Sequence, residues 1–323
     1  AADESTGTIT RRLAAVGVES TPDTRRAYRE MLFTTPRIEE HLSGVILYDE
    51  TIRQMRDDGT PLRDLLRSKG IIPGIKVDAG TTDLANFPGE VVTEGLDGLR
   101  ERLADYRTLG ARFCKWRAVI RIGDGIPTYG ALAANAHAMA RYAALCQEMG
   151  LVPIVEPEVL MEGEHSIERC EEVTTVTLRY TFEHLSAQRV VLEGMLLKPN
   201  MVLPAKGSIE QANVAAVAEA TVRTLRRTVP AAVPGIVFLS GGQTPEQATE
   251  HLNAMNNLGP LPWVLSFSFA RALQGPAMEA WRGSRDNLQI AQELFYQRVK
   301  LAGAARMGQY TPTMERATTR MSG

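Results

Sequence analysis

The chain has 323 residues, of which 44% are hydrophobic and 23% charged, and its formal net charge at pH 7 is −2. This composition is typical of a globular protein with a large core; it excludes a disordered chain and gives no indication of a nucleic-acid partner. No stretch approaches the roughly 18 apolar residues of a membrane span, and the N-terminal "AADESTGTIT" lacks the features of a signal peptide, so we expect a cytoplasmic protein outside the membrane.

Apolar segments rich in β-branched residues recur along the chain and predict strands. They are "GVILYD" (44–49), "IIPGIKVD" (71–78), "RFCKWRAVI" (112–120), "LVPIVEPE" (151–158), "VVLEGMLLK" (190–198), "GIVFLSGG" (235–242) and "WVLSFSFARA" (263–272). Segments with helical periodicity separate them, and two of these, 96–110 and 126–150, end in glycine, as helices commonly do. With a possible strand stub at "AAD" (1–3), this alternation predicts an α/β protein with a single (β/α)8 TIM barrel.

The two ends of the chain depart from this pattern. The sequence begins at the end of its first predicted strand, so we expect that strand to be truncated at the N-terminus. Periodicity is lost after about residue 303. We therefore predict a catalytic barrel domain over 1–303 and a flexible C-terminal tail over 304–323.

Charged side chains stand at the ends of the predicted strands, where barrel enzymes place their chemistry. Because side chains alternate along a strand, residues two positions apart share one face. Such pairs are Lys76 with Asp78, Lys115 with Arg117, and Glu156 with Glu158, and Lys198 and Ser240 end two further strands. One such pair is commonly only solvated, but agreement among several strands favours an active site. Arg121 and Glu193 lie outside this pattern, and we interpret them as contacts with solvent or the helix layer.

Lys198 follows a nearly unbroken apolar run and precedes a proline that cannot continue the strand ladder. Apolar surroundings and nearby cations disfavour a charged ammonium group, so we expect part of this lysine to be a free amine. A free amine attacks ketones, and the resulting Schiff base withdraws electrons and makes cleavage of a carbon–carbon bond feasible. Glu156 and Glu158 are then candidates for the proton transfers.

Two groups of residues predict binding sites for anions. The segment "SGGQ" offers Ser240, Gly241 and Gly242, with Ser268 and Arg271 following the next strand. Ser5, Thr8 and Arg12 follow the first strand near Lys76 and form the start of a helix. A Gly-Gly turn is often only a turn, and a Ser/Thr-rich helix start is often only a cap.

Histidine and cysteine spacing gives no indication of a metal site. The five histidines show no spacing typical of zinc ligands, and the three cysteines, Cys114, Cys146 and Cys170, show no paired spacing. We expect the histidines to be surface or helix residues, the cysteines to be buried packing thiols, and the chemistry to need no metal or cofactor.

Seven segments in order, "AADESTGTI", "GIKVD", "KWR", "VPIVEPE", "LEGMLLKPNMV", "FLSGGQ" and "SFSFARALQ", together resemble class I fructose-1,6-bisphosphate aldolase. The resemblance runs nearly end to end and implies a (β/α)8 barrel, a cytosolic homotetramer and a metal-independent lyase of glycolysis and gluconeogenesis. It implies phosphorylated sugars as substrates, with no nucleic-acid or membrane partner.

Roles for individual residues follow from the same resemblance. Lys198 would form the Schiff base, Glu156 would shuttle protons, Asp3 would accept the C4 hydroxyl proton, and Lys115 and Glu158 would tune the amine. Lys76 and Arg117 would help to bind substrate. The residues of the C1 phosphate site would be Ser240, Gly241, Gly242, Ser268 and Arg271, and those of the C6 phosphate site would be Ser5, Thr8, Arg12 and Lys76, with Arg25 a further candidate.

The sequence also departs from the family pattern. The family's "SYGRA" segment is "SFARA" here, so Ala270 stands where a phosphate-contacting glycine is expected. Animal members of the family end in a tyrosine that helps to protonate the enamine, whereas the last tyrosine of this sequence is Tyr310. Two alternatives stay open at this point: a different Schiff-base barrel of the transaldolase kind, and a non-catalytic or additional protein-binding role.

Overall fold

The computed structural model describes residues 1–316. In this part of the chain seven parallel strands curl into one sheet, with the order β1-β2-β5-β6-β7-β8-β9, and β3 and β4 form a separate antiparallel hairpin. The strands are β1 (Gly44–Leu47), β2 (Ile72–Lys76), β3 (Thr81–Asp83), β4 (Val91–Thr93), β5 (Phe113–Ile120), β6 (Val152–Val159), β7 (Leu196–Leu197), β8 (Gly235–Phe238) and β9 (Val264–Phe267).

Helices connect the strands and cover the outside of the sheet. They are α1 (Thr6–Ala15), α2 (Pro22–Thr34), α3 (Asp49–Arg53), α4 (Leu62–Ser68), α5 (Leu99–Thr108), α6 (Tyr129–Glu148), α7 (Ile167–Ala187), α8 (Val214–Thr228), α9 (Pro245–Asn256), α10 (Arg271–Trp281), α11 (Leu288–Arg306) and α12 (Thr313–Arg316). The helices predicted over 96–110 and 126–150 are confirmed as α5 and α6. The glycines that follow them, Gly110 and Gly150, have φ of 103° and 68°, a conformation that favours glycine. None of the helices in the described part is long and apolar enough to span a bilayer.

Residues 1–3 complete the ring of strands. The backbone N–H of Ala2 donates to the carbonyl of Ile46 at 3.0 Å, and Ala2 forms a parallel bridge with Leu47 of β1. On the other side, the amino group of Ala1 donates to the carbonyl of Phe269, just after β9, at 3.0 Å. The first residues therefore lie between the two edge strands, which confirms the predicted (β/α)8 barrel.

The alternation along β5 shows how one strand serves two environments. Cys114 and Trp116 belong to the hydrophobic core, and the Trp116 ring stacks on Tyr142 of α6 with ring centroids 5.5 Å apart. Lys115 and Arg117, on the opposite face, line a cavity inside the barrel. The prediction that all three cysteines are buried free thiols is also confirmed.

The strand predicted over 190–198 is wrong in its first half. Only Leu196–Leu197 forms a strand, and Leu192–Gly194 is a short 3-10 helix. The side chain of Gln147 explains the difference, because it accepts from the Val191 N–H at 2.9 Å and donates to the Val191 carbonyl at 2.7 Å. These are the groups that a strand would use for its ladder, and the Val191 side chain is 58% exposed.

The C-terminal segment begins inside a helix. Residues 304–306 belong to α11, and Tyr310 is buried, with its hydroxyl donating to Glu315 at 2.9 Å. The predicted domain boundary at 303 and the flexibility of 304–323 stay predictions. Residues 317–323 lie outside the described part of the chain.

Candidate active site

A polar cavity of about 730 Å³ opens at the C-terminal ends of the barrel strands. The strands deliver their terminal side chains to it, as expected for this fold. Its lining includes these residues predicted from the sequence: Asp3, Ser5, Thr8, Arg12, Lys76, Lys115, Arg117, Glu156, Glu158, Lys198, Ser240, Gly241, Ser268 and Arg271. Gly242 and the further candidate Arg25 are the predicted site residues that are not part of this lining.

A cluster of two amines and two carboxylates forms the centre of the cavity. The Lys198 Nζ lies 3.1 Å from Glu156 Oε1, and the Lys115 Nζ lies 3.1 Å from Glu156 Oε2 and 2.7 Å from Asp3 Oδ2. All four side chains are buried; Lys198 is 4% exposed. Glu156 therefore bridges two lysines, and Lys115 bridges two carboxylates.

Neighbouring strands bring this cluster together. Lys115 lies on β5 directly beside Ile154 of β6, and the Lys198 N–H, just after β7, donates to the Val155 carbonyl of β6 at 2.8 Å. Because β7 is only two residues long, Asn200 supplies a further link: its side chain accepts from the Val159 N–H at 2.9 Å. This contact holds the chain after Lys198 against the strand that carries the glutamates.

The charges of the cluster determine its protonation. Burial alone would raise the pKa of Asp3 and Glu156, but Lys115 and Lys198 outweigh burial and lower the pKa of both carboxyls. Burial alone would lower the pKa of Lys115, but Asp3 and Glu156 outweigh it and raise that pKa. Asp3 and Glu156 are thus carboxylates at neutral pH and Lys115 is an ammonium ion, so both acids are ready to accept a proton.

Asp78 is a site residue to which sequence analysis gave no role. Its carboxylate accepts from the Lys76 Nζ at 2.5 Å and from the backbone N–H of Arg117 at 3.2 Å. Arg117 in turn forms an ion pair with Glu158. Asp78 therefore orients Lys76 directly, and through the backbone N–H of Arg117 it also fixes the strand that carries this second cation. Its position two residues after Lys76 was the available signal.

One end of the cavity is formed by α1 and its flanking residues. Arg12 forms an ion pair with Glu4, and Glu4 also lies 2.8 Å from the Arg29 guanidinium. The Ser5 hydroxyl, at the N-terminus of α1, donates to the Thr8 hydroxyl at 3.2 Å. Glu4 was missed by sequence analysis, although it stands next to Asp3 and holds Arg12 at the cavity.

Arg25 does not belong to the cavity lining. Its guanidinium donates twice to the Glu50 carboxylate, at 2.8 and 2.6 Å. This fork occupies the donors that an anion would need.

Another part of the cavity lining is formed by the turn 240–243 and the start of α10. Gly241 and Gly242 have φ of 51° and 76°, and the Gln243 N–H donates to the Ser240 carbonyl at 3.0 Å. A Cβ at Gly242 would lie 2.3 Å from the Lys206 Cε, so the lysine side chain would have to move, and the positive φ itself disfavours any residue with a Cβ. Ala270 has a negative φ of −104°, so this position does not need the left-handed conformation that favours glycine.

Within residues 1–316, no three or more His, Cys, Asp or Glu side chains are arranged to hold a metal ion.

Comparison with known proteins extends these observations over the whole chain. A family model described as "Fructose-bisphosphate aldolase class-I" matches residues 1–322. A Xanthomonas campestris pv. campestris protein named "Probable fructose-bisphosphate aldolase class 1" is 58% identical over 311 residues, covering 96% of this chain and 93% of that protein. "Fructose-bisphosphate aldolase 6, cytosolic" of Arabidopsis thaliana is 56% identical over 313 residues, covering 96% and 87%.

Solved structures agree with the sequence comparison. The fructose-bisphosphate aldolase of Plasmodium falciparum, crystallised with TRAP and a small-molecule inhibitor, superposes with a TM-score of 0.95 at 46% identity. The match covers 96% of this chain and 90% of that one. With the sequence motifs, the barrel and the family model in agreement over nearly its full length, the chain belongs to the class I fructose-bisphosphate aldolase family.

Proposed function

We propose that this chain cleaves fructose 1,6-bisphosphate reversibly into dihydroxyacetone phosphate and glyceraldehyde 3-phosphate, through a Schiff base on Lys198, in glycolysis and gluconeogenesis. The observation that carries the mechanism is the position of Lys198, buried and 3.1 Å from a carboxylate that also contacts Lys115. Family membership supplies the substrate.

Formation of the Schiff base needs a proton acceptor beside the amine. Glu156 takes a proton from the Lys198 Nζ, and the free amine attacks the C2 ketone to give a carbinolamine. Glu156 then returns the proton to the carbinolamine hydroxyl, which leaves as water. The Oε1 atom of Glu156, 3.1 Å from the Lys198 Nζ, is the atom placed for this transfer. Lys115 and Glu158 stabilise the charges that develop.

Cleavage of the C3–C4 bond needs a base at the C4 hydroxyl. Asp3 is the proposed base, because Lys115 keeps it ionised at a contact of 2.7 Å. As Asp3 removes the proton, the bonding electrons flow to the iminium nitrogen, glyceraldehyde 3-phosphate is released, and an enamine remains. Protonation of the enamine and hydrolysis of the imine then release dihydroxyacetone phosphate. Tyr310 is not part of the described cavity lining, so we do not assign the enamine protonation to it.

The cavity lining offers two groups of anion-binding residues, which we assign to the two phosphates of the substrate. Ser240, Gly241, Ser268 and Arg271 surround the proposed C1 site, where the start of α10 contributes its N–H groups. Ser5, Thr8, Arg12 and Lys76 form the proposed C6 site. Two separate anion sites favour a bisphosphate over the monophosphates used by transaldolase-type enzymes, and comparing the two substrate classes tests this directly.

We further propose a cytoplasmic location, supported by relatives named cytosolic in Arabidopsis thaliana, and a homotetramer, supported by the family resemblance. An additional protein-binding role stays open. The Plasmodium falciparum relative was crystallised with TRAP, and a binding assay with Lys198→Ala would separate such a role from catalysis.

Reduction with borohydride in the presence of dihydroxyacetone phosphate tests the central claim. We expect covalent addition of the reduced ketone to the peptide containing Lys198, no addition in Lys198→Arg, and unchanged addition in the control Lys300→Met, which removes an exposed lysine of α11. Activity should persist in EDTA. Labelling of a different lysine, or none in the native chain, would overturn the mechanism.

A further inference from the structure

The side chain of Gln243 stabilises the turn that forms the proposed C1 phosphate site. Besides the backbone bond from Gln243, the Ser240 carbonyl accepts from the Gln243 Nε2 at 2.8 Å. Two consecutive glycines with positive φ give the turn many alternative conformations in isolation. The glutamine therefore restricts a segment that would otherwise be free to change the direction of its N–H groups.

The other end of this glutamine amide meets a buried histidine. The Nδ1 atom of His251, two turns into α9, lies 2.5 Å from Gln243 Oε1. His251 is 5% exposed, and burial lowers its pKa to about 4, so the ring is neutral at physiological pH. Because an amide oxygen only accepts, the Nδ1 atom must carry the proton. His251 thus fixes which way the amide points, with its nitrogen toward Ser240.

We propose that His251 is a positioning residue for phosphate binding: acting through Gln243, it holds Ser240 and Gly241 in the orientation that receives the C1 phosphate. The inference rests on the proposed function of this turn. Because His251 lies on α9, this helix affects substrate affinity although it contributes no residue to the cavity lining.

Removal of the histidine leaves the glutamine oxygen without its donor and the amide free to rotate. A neutral hydrogen bond of this kind contributes a factor of about 3 to 10 to binding when it is lost. The loss of affinity should concern the phosphate group alone. Lys115 lies on β5, Glu156 on β6 and Lys198 next to β7, and in the described structure none of them contacts α9 through a hydrogen bond or an ion pair.

Borohydride trapping with two ketones separates positioning from general damage. Tight binding of dihydroxyacetone phosphate depends on the turn that receives its phosphate. Dihydroxyacetone forms the same Schiff base but has no phosphate, so its trapping does not depend on the turn. We expect His251→Leu to raise the half-saturating concentration of dihydroxyacetone phosphate about 3- to 10-fold and to leave trapping with dihydroxyacetone unchanged. His251→Asn, whose amide N–H can replace the Nδ1 donor, should restore affinity.

Thr249→Val is the matched control, since it removes two hydrogen bonds on the same helix, one to the Pro245 carbonyl and one from Arg298, and neither contacts Gln243. Gln243→Met changes a residue nearer the surface and should reproduce the effect of His251→Leu even if His251→Leu folds poorly. The double variant should bind dihydroxyacetone phosphate no more weakly than either single variant. Equal impairment with both ketones, or unchanged affinity for the phosphorylated one, would refute the positioning role. Absence of trapping in the native chain with either ketone would instead refute the proposed function, and this inference with it.

Discussion

Replacement of Lys115 by methionine tests whether the central charges hold one another in place. The substitution keeps the length and apolar stem of the side chain and removes the ammonium group that faces Asp3 and Glu156 at 2.7 and 3.1 Å. With an effective dielectric constant of about 20, each of these attractions is about 5 to 6 kcal/mol before the cost of burying the charges. Because burial opposes this gain, and breaking a buried ion pair typically costs about 3–5 kcal/mol, we expect the free energy of unfolding to fall by about 4 kcal/mol at pH 7.

The effect should depend on pH with a definite sign. Asp3 and Glu156 have lowered pKa values in the folded chain, so their contribution to stability is present above their unfolded values, near pH 4, and is lost as the pH falls further. Without Lys115 this contribution is reduced. The difference between the native chain and Lys115→Met is therefore largest at pH 7 and shrinks below about pH 4.

Urea unfolding at pH 7, 5 and 3.5 measures this difference. Lys206→Met is the control, because the half-exposed Lys206 pairs with Glu162 at 3.3 Å, and its loss should cost less than about 1 kcal/mol. A difference for Lys115→Met below about 1 kcal/mol at pH 7, or one that is equal at all three pH values, would contradict the account of the cluster.

Three further substitutions test other parts of the structure. Asp3→Asn should lower the rate of fructose 1,6-bisphosphate cleavage by about 10²- to 10⁴-fold while trapping with dihydroxyacetone phosphate continues; equal loss of both in steady-state and trapping assays would argue against a role as base. Lys76→Met should raise the KM for fructose 1,6-bisphosphate about tenfold but change the KM for fructose 1-phosphate little, and an equal change for both substrates would remove Lys76 from the C6 site. Arg298→Met leaves Glu315 without its buried partner, 2.6 Å away, so urea unfolding should show a loss of about 3 kcal/mol with unchanged kcat; a loss below about 1 kcal/mol would show that the pair contributes little.

The sequence predicted the fold and the inventory of polar groups because both depend on short-range periodicity. Alternation with a period of two placed Lys115 with Arg117 on one face of β5, and the position of Lys198 at the end of an apolar run placed it at the rim of the barrel. The structure brings these side chains into one cavity. Their catalytic and binding roles stay predictions.

Pairing within the site could not be predicted in the same way. Asp3 contacts Lys115 only because the sheet curls and closes, and Glu156 contacts Lys198 only because β6 and β7 pair in this register. Closure depends on contacts between residues far apart in the chain, which no local pattern records. The same reason explains the error at 190–198, where Gln147 of α6 takes the backbone hydrogen bonds that a strand would need.

The closure of the ring by residues 1–3 links assembly to chemistry. Asp3 is among the earliest residues of this sequence, yet its segment is held by β1 on one side and by Phe269 and Gln274 on the other. A folding chain whose last strand has not docked would carry the reactive lysine and its glutamate but would lack the group that deprotonates the sugar. In the proposed mechanism, the chain can therefore cleave the sugar only after residues 1–3 have docked between β1 and the segment that follows β9.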